Sequence, residues 1–248
     1  YKYFWQNGIG VDVLDSRSDF EDYKIVIAPL LYMFHNDIQQ KMRNFVERGG
    51  ILLSTAFSGV VDENDFCFLG EATQEKLSDV LGMWVEETDA LFDEEANETS
   101  WNQNTYKLKE ICEVIHTTTA EVLAVYGKDY YKGAPVITKN TYGVGTAYHI
   151  AANCEDALIE DLCRQLVAEA QITGILGDAD IPDGIGICYR ENETKRYIFI
   201  GNFSDEAKCI DFSKSSGNEE RAYVNILDDA KIGGKVCLEP YGIVILEI

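Results

Sequence analysis

The chain has 248 residues, 46% of them hydrophobic and 11% aromatic, enough for one large core or two small ones, which excludes a disordered chain. A formal net charge of −22 excludes a nucleic-acid partner and an anionic membrane surface, both of which require a basic face. No run of about eighteen apolar residues exists, so no membrane-spanning helix is expected.

Taken in order, Tyr1-Lys2-Tyr3-Phe4-Trp5 reads as the inside of an amphipathic helix stopped by Gly8. With neither a signal peptide nor an initiating Met, that opening suggests a piece cut from a longer protein. Residues 11–14 are expected as a short strand, and residues 23–29 as a second one, β-branched and closed by a proline. Asn36 or Asp37 is placed to cap a helix that carries Ile38, Met42, Phe45 and Val46 on one face and ends at Gly49-Gly50. There follows Ile51-Leu52-Leu53-Ser54-Thr55, a buried strand whose carboxyl end opens into Phe57-Ser58-Gly59 and the acidic turn Asp62-Glu63-Asn64-Asp65. This β-β-α-β alternation predicts an α/β fold, an open parallel sheet with helices on its faces. In such sheets ligands bind beyond the carboxyl ends of the strands, so this turn is the first candidate for function.

Residues 73–81 read as a helix capped at Thr73 and stopped by Gly82, and residues 83–88 as a strand. From 89 to 118 the periodicity fades. Five acids within residues 89–98 suggest an exposed acidic loop, and only loops and uncertain short elements are expected there. Residues 121–126 and 134–139 are strands, a turn at Tyr142-Gly143-Val144-Gly145 leads to another at 146–151, and residues 156–170 form a helix with Leu158, Leu162, Leu166 and Val167 on one face. Residues 174–186 are a glycine- and aspartate-rich linker. Beyond it the period becomes two, in runs at 187–190, 196–200, 209–212, 222–226 and 242–246, which predicts a small antiparallel β-sandwich. The expected domains are 1–174 and 185–248.

Most catalytic signatures are missing. Gly8-Ile9-Gly10 and Gly143-Val144-Gly145 lead into strands rather than opening helices, so they read as turns and not as phosphate cradles. Ser58 follows a strand, but an acidic turn comes next where a nucleophile elbow needs a helix, and neighbouring carboxylates oppose an anionic nucleophile. His35, His116 and His149 lie in separate segments without metal-ligand spacing, and no metal site or cofactor is expected. Seven scattered cysteines without a Cys-x-x-Cys suggest neither a zinc site nor a disulfide scaffold, and a reducing cytoplasm fits best. The sequons at Asn97, Asn192 and Asn202 read as chance triplets. For Asp62-Glu63-Asn64-Asp65 two readings stand: acceptors suited to sugar hydroxyls, or a turn whose Asp and Asn satisfy their own backbone.

Several stretches together resemble the non-catalytic half of the glycoside hydrolase family 42 β-galactosidases. They are Tyr3-Phe4-Trp5 through Gly8-Ile9-Gly10-Val11-Asp12, Tyr23-Lys24-Ile25-Val26-Ile27-Ala28-Pro29-Leu30-Leu31-Tyr32, and Phe45-Val46-Glu47-Arg48-Gly49-Gly50. The most specific is Phe57-Ser58-Gly59-Val60-Val61-Asp62-Glu63-Asn64-Asp65, with Leu69-Gly70 after it. Leu81-Gly82, Glu121-Val122-Leu123-Ala124-Val125-Tyr126 and Tyr142-Gly143-Val144-Gly145-Thr146-Ala147-Tyr148 extend it. The resemblance implies a trimerisation domain similar to flavodoxin and class I glutamine amidotransferases, followed by a small β domain. It also implies that the two catalytic glutamates lie on a barrel preceding Tyr1, so no catalytic residue carries over; the amidotransferase Cys is absent around Thr55 to Ser58. The implied partners are further copies in a homotrimer, with galactoside handled by the barrel and Phe57, Asp62, Glu63, Asn64 and Asp65 as substrate-facing candidates. The alternative is a stand-alone, amidotransferase-like sugar-binding domain without catalysis.

Overall fold

Helix α1 (Lys2–Gln6) stops where expected, at Asn7 and the left-handed Gly8, and begins the computed structural model, which describes all residues except 36, 68–76, 178, 212–222 and 248. The chain divides into two units, Leu14–Leu166 and, apart from it, Tyr1–Val13 with Val167–Ile248. Residues 11–14 form no strand: Val13 is 85% exposed, and a lone apolar run without a pairing neighbour gains nothing from extension.

In the unit Leu14–Leu166, strand β1 (Ile25–Ala28) leads to helix α2 (Ile38–Glu47) and strand β2 (Ile51–Thr55). Helix α2 buries Ile38, Met42, Phe45 and Val46, the face its spacing predicts, each side chain contributing about 1.5–3 kcal/mol of burial. Its expected caps fare differently. Asp37 occupies the N-cap position but is left-handed and makes no side-chain capping bond; Asn36 lies outside the described residues. At the other end Gly50 packs so close to Phe45 that a Cβ would stand 2.3 Å from the ring, which is why the helix exits through glycine.

Helix α3 (Ser78–Leu81), ended by left-handed Gly82 as expected, starts only after its N-cap Leu77; residues 73–76, with the expected cap at Thr73, lie outside the described residues. Arg43 of α2 reaches Asp79 of α3 with both guanidinium Nη atoms, and this bond holds the Asp79 carboxyl below its usual range. Strand β3 (Met83–Ala90) then pairs antiparallel with β5 (Asn104–Thr117). The expectation of loops over 89–118 is corrected: β4 (Asn97–Trp101) and β5 (Asn104–Thr117) form a hairpin through Asn102 and Gln103, both at positive φ.

Strands β6 (Glu121–Val125), β7 (Pro135–Tyr142) and β8 (Gly145–Ile150) follow, and then β9 (Ala152–Cys154), which joins β5. The main sheet has the order β1-β2-β8-β7-β6. Strands β1, β2 and β8 are parallel, but β7 pairs antiparallel with both β8 and β6, so the sheet is mixed rather than parallel throughout. The cause is local. Tyr142 pairs with Gly145 across two residues, Gly143 has φ 60, and so short a turn can only join antiparallel strands.

Helix α4 (Asp156–Glu169) buries Leu158, Leu162, Cys163 and Leu166. In the other unit, strands β10 (Ile185–Glu191), β11 (Arg196–Asn202), β12 (Lys208–Asp211), β13 (Tyr223–Asn225), β14 (Lys231–Ile232), β15 (Lys235–Leu238) and β16 (Ile243–Glu247) make an antiparallel sheet β10-β11-β16-β13-β14 and a two-stranded ribbon β12-β15. Their inward residues, among them Ile187, Ile198, Ile200, Ile210, Val236 and Leu246, form one core. Strands β14 and β15 have no counterpart in the expected set. The ribbon also corrects the cysteine reading, because Cys209 and Cys237 stand opposite each other in register and are joined by a disulfide. Two sequons prove structural: Asn97 and Asn202 are each 2% exposed, Asn97 donating to Lys128 O and Asn202 to Glu206 O.

Candidate functional site

The carboxyl ends of β1 and β2 are laced together by their own side chains. Thr55 Oγ1 accepts from Leu30 N at 2.8 Å, and Ser58 Oγ accepts from Leu31 N at 3.0 Å. Gly59 N donates to Leu31 O at 2.8 Å, while Phe34 N donates to Val61 O at 2.9 Å. Gly59 sits at φ +66 with the Phe34 ring so close that a Cβ would meet it at 2.6 Å, so both the turn and the contact demand glycine.

Two aromatic rings lie over this junction. Tyr32 stacks on Phe57 with centroids 5.5 Å apart and planes 21° apart. Its hydroxyl donates to Asp65 Oδ1 at 3.2 Å, and burial followed by that bond pushes the Tyr32 phenol up from its usual value. Phe66, in the same turn, is 69% exposed. Of the five residues singled out from sequence, Phe57 and Asp65 are therefore brought together, through Tyr32. Asp62 is committed to its own turn: Oδ1 accepts from Asn64 N at 2.8 Å and from Phe66 N at 3.1 Å. Glu63 and Asn64 are exposed at the tip.

Beneath the turn lies a group that sequence reasoning missed. Phe57 is left-handed, at φ 61, and its N–H donates to Glu113 Oε1 at 2.8 Å. The other carboxylate oxygen of Glu113 meets His149 Nε2 at 3.2 Å, and both side chains are wholly buried. Tyr126 adds a floor by donating to the main-chain oxygens of Glu113 at 3.0 Å and Ala151 at 2.6 Å. Burial pushes its phenol far up, so Tyr126 serves only as a neutral donor. The one signal available was an acid inside β5, hidden among 43 acidic residues.

A nucleophilic triad is not assembled here. Ser58 is 1% exposed and its oxygen is occupied by Leu31 N–H. His149 is bound through Nε2 to Glu113 and its buried Nδ1 has no partner among the described residues, so none of their hydroxyls is linked to that imidazole. His35 meets Ser16 Oγ at 3.0 Å, and His116 stacks on Trp84 with centroids 4.5 Å apart, so the three histidines serve three places. Among the described residues no group of three or more His, Cys, Asp or Glu could hold a metal ion, and no helix is long and apolar enough to cross a membrane.

Residues 1–173 match the family described as β-galactosidase trimerisation domain, and residues 184–247 match the β-galactosidase C-terminal domain. Among curated relatives, the β-galactosidase Pbg of Clostridium perfringens is 37% identical over 250 residues, covering 98% of this chain and 35% of that protein. BglY of Alicyclobacillus acidocaldarius, also a β-galactosidase, is 36% identical over 254 residues, covering 100% of this chain and 36% of that one. Among solved structures, a catalytic mutant of Gan42B, a GH42 β-galactosidase from G. stearothermophilus, superposes with a TM-score of 0.91 at 31% identity, covering 100% of this chain and 35% of the other. The β-galactosidase from Bacillus circulans sp. alkalophilus gives a TM-score of 0.90 at 33% identity, covering 99% and 36%. The chain thus spans about a third of the length of the relatives it matches.

Proposed function

We propose an assembly role from one premise: the chain belongs to the glycoside hydrolase family 42 β-galactosidases and corresponds to their trimerisation and C-terminal domains. On this reading it brings three copies of a larger enzyme together, and the bond-breaking glutamates lie in the part of the protein outside these residues. The observation that carries the reading is the match of residues 1–173 to a domain described by its trimerising role. Closed threefold symmetry requires two different patches on each copy, one meeting the other around the ring. The substrate is a β-galactoside, acted on by the intact enzyme as a retaining hydrolase in the cytoplasm. The alternative of a stand-alone sugar-binding module is not favoured, since the chain aligns over 98–100% of its own length with about a third of two longer β-galactosidases.

The parallel trio β1-β2-β8 and the sharp left-handed turn at Phe57 support a flavodoxin-like, amidotransferase-like core with helices on both faces. Working boundaries of 1–174 and 185–248 are supported by the two family matches.

We place Phe57, Asp62, Glu63, Asn64 and Asp65 toward the sugar site of the intact enzyme, supported by the Tyr32–Phe57 stack and the exposed acceptors at the turn's tip. Asp62 acts by shaping the turn and Asn64 by presenting its amide. Galactoside kinetics of the intact enzyme check this. Asn64→Ala is expected to raise KM about tenfold, the worth of one hydrogen bond, with the oligomer unchanged. Unaltered kinetics in both Asn64→Ala and Asp62→Ala, with the trimer intact, would remove the substrate-facing role. The 248-residue chain by itself is expected to turn over neither chromogenic galactosides nor esters, and turnover at enzymatic rates would contradict the assembly reading.

A further inference from the structure

Strands β12 and β15 pair residue for residue, Lys208 with Leu238, Cys209 with Cys237, Ile210 with Val236. Alternation along the ribbon sends Ile210, Val236 and Leu238 into the core and leaves Cys209 and Cys237 exposed on the opposite face. Among the described residues the ribbon has two strands, and both cysteines are on its exposed face. We propose that Cys209–Cys237 is a thiol–disulfide exchange site whose reaction partner is a dithiol, either a small molecule or the reduced dithiol of a disulfide oxidoreductase.

The remaining cysteines set this pair apart. Cys112 and Cys163 are buried, and burial pushes the Cys163 thiol up to about 11 and the Cys154 thiol up to about 12, which leaves almost no thiolate to react. Cys67 and Cys188 are exposed but unbonded. In the exchange, one thiolate of the dithiol attacks Sγ of either cysteine, the Sγ–Sγ bond breaks, and the departing cysteine thiolate takes a proton from water. The second thiol of the dithiol then attacks the mixed disulfide and releases the other cysteine. Two electrons and two protons pass to the pair, and the dithiol leaves as a disulfide. The bond closes a separation of 28 residues, so reduction returns conformational freedom to the unfolded chain and lowers the stability of this unit while the inward residues keep the ribbon seated.

The test is differential alkylation of the native, air-oxidised chain. Exposed thiols are first blocked with iodoacetamide, dithiothreitol or a reduced thioredoxin-type oxidoreductase is added without denaturant, and newly freed thiols are labelled with N-ethylmaleimide. The expected result is joint maleimide labelling of Cys209 and Cys237, with Cys112 and Cys163 still protected and the melting temperature lowered by several degrees. Labelling with both reductants supports exchange with a protein dithiol, and labelling with dithiothreitol alone assigns the site to small dithiols. If neither reductant opens the pair in the folded protein, or if iodoacetamide modifies both cysteines before any reductant is added, the proposal fails. A Cys209→Ser/Cys237→Ser double variant should melt at the reduced temperature and ignore dithiothreitol; should it not fold, the labelling of the unaltered chain decides alone.

Discussion

Replacing Glu113 with alanine is expected to cost about 3–5 kcal/mol of stability, the usual loss when one member of a buried, hydrogen-bonded ionisable pair is removed. The magnitude follows from what is stranded. His149 is wholly buried and would lose the partner of its Nε2, while the Phe57 N–H would lose its acceptor under a left-handed backbone. Alanine also leaves a cavity where a carboxylate and its stem stood. Glu113→Gln keeps an oxygen for Phe57 N–H, so it is expected to cost clearly less, about 1–2 kcal/mol. Urea unfolding of the two variants beside the unaltered chain measures both numbers. Hydrogen exchange at Phe57 should accelerate in Glu113→Ala more than at α2, because the turn loses its strut while the helix keeps its apolar face. A loss below about 1 kcal/mol in Glu113→Ala would mean that the pair is not the anchor described here.

Gly145→Ala is expected to be at least as damaging, for a steric reason. A Cβ at Gly145 would stand 2.1 Å from Val46 O and 2.5 Å from Gly50 O, both main-chain atoms that cannot swing aside. The start of β8 is pressed onto the end of α2 and the entrance to β2, so relief would require separating a helix from the central strands. Overpacking of a core costs about 1–3 kcal/mol where side chains can adjust, and the backbone here should put the loss at or above that upper end. Gly133→Ala is the control. Gly133 has a positive φ, of +90, which Gly145 lacks, and nothing lies within 4 Å of the added carbon, so only the backbone strain of about 1–2 kcal/mol applies. Thermal unfolding of the two variants should place Gly145→Ala well below Gly133→Ala; equal melting points would contradict the packing described.

Much of the architecture is visible in the sequence because its causes are local. The spacing of Ile38, Met42, Phe45 and Val46 declares α2, and the unbroken run Ile51-Leu52-Leu53 declares a strand covered on both faces. Hidden features have causes that a local window does not contain. The inward set of the β4–β5 hairpin includes polar Asn97, Thr99 and Glu113, and the register slips between Lys109 and Cys112 around left-handed Glu110, so alternation is interrupted twice over. Cys209 and Cys237 become neighbours only once the ribbon has paired. The turn at 57–65 is legible as a strand end, and the Asp62 side chain closing on its own backbone is legible with it. Its aromatic partner Tyr32 comes from the loop after β1, and its anchor Glu113 from β5, neither marked by any motif.

The proposed assembly role is tested most directly by sedimentation velocity on the longer protein that contains these residues and on a version lacking residues 1–174. A trimer is expected for the first and dissociated subunits for the second. An identical trimer in both would contradict that role.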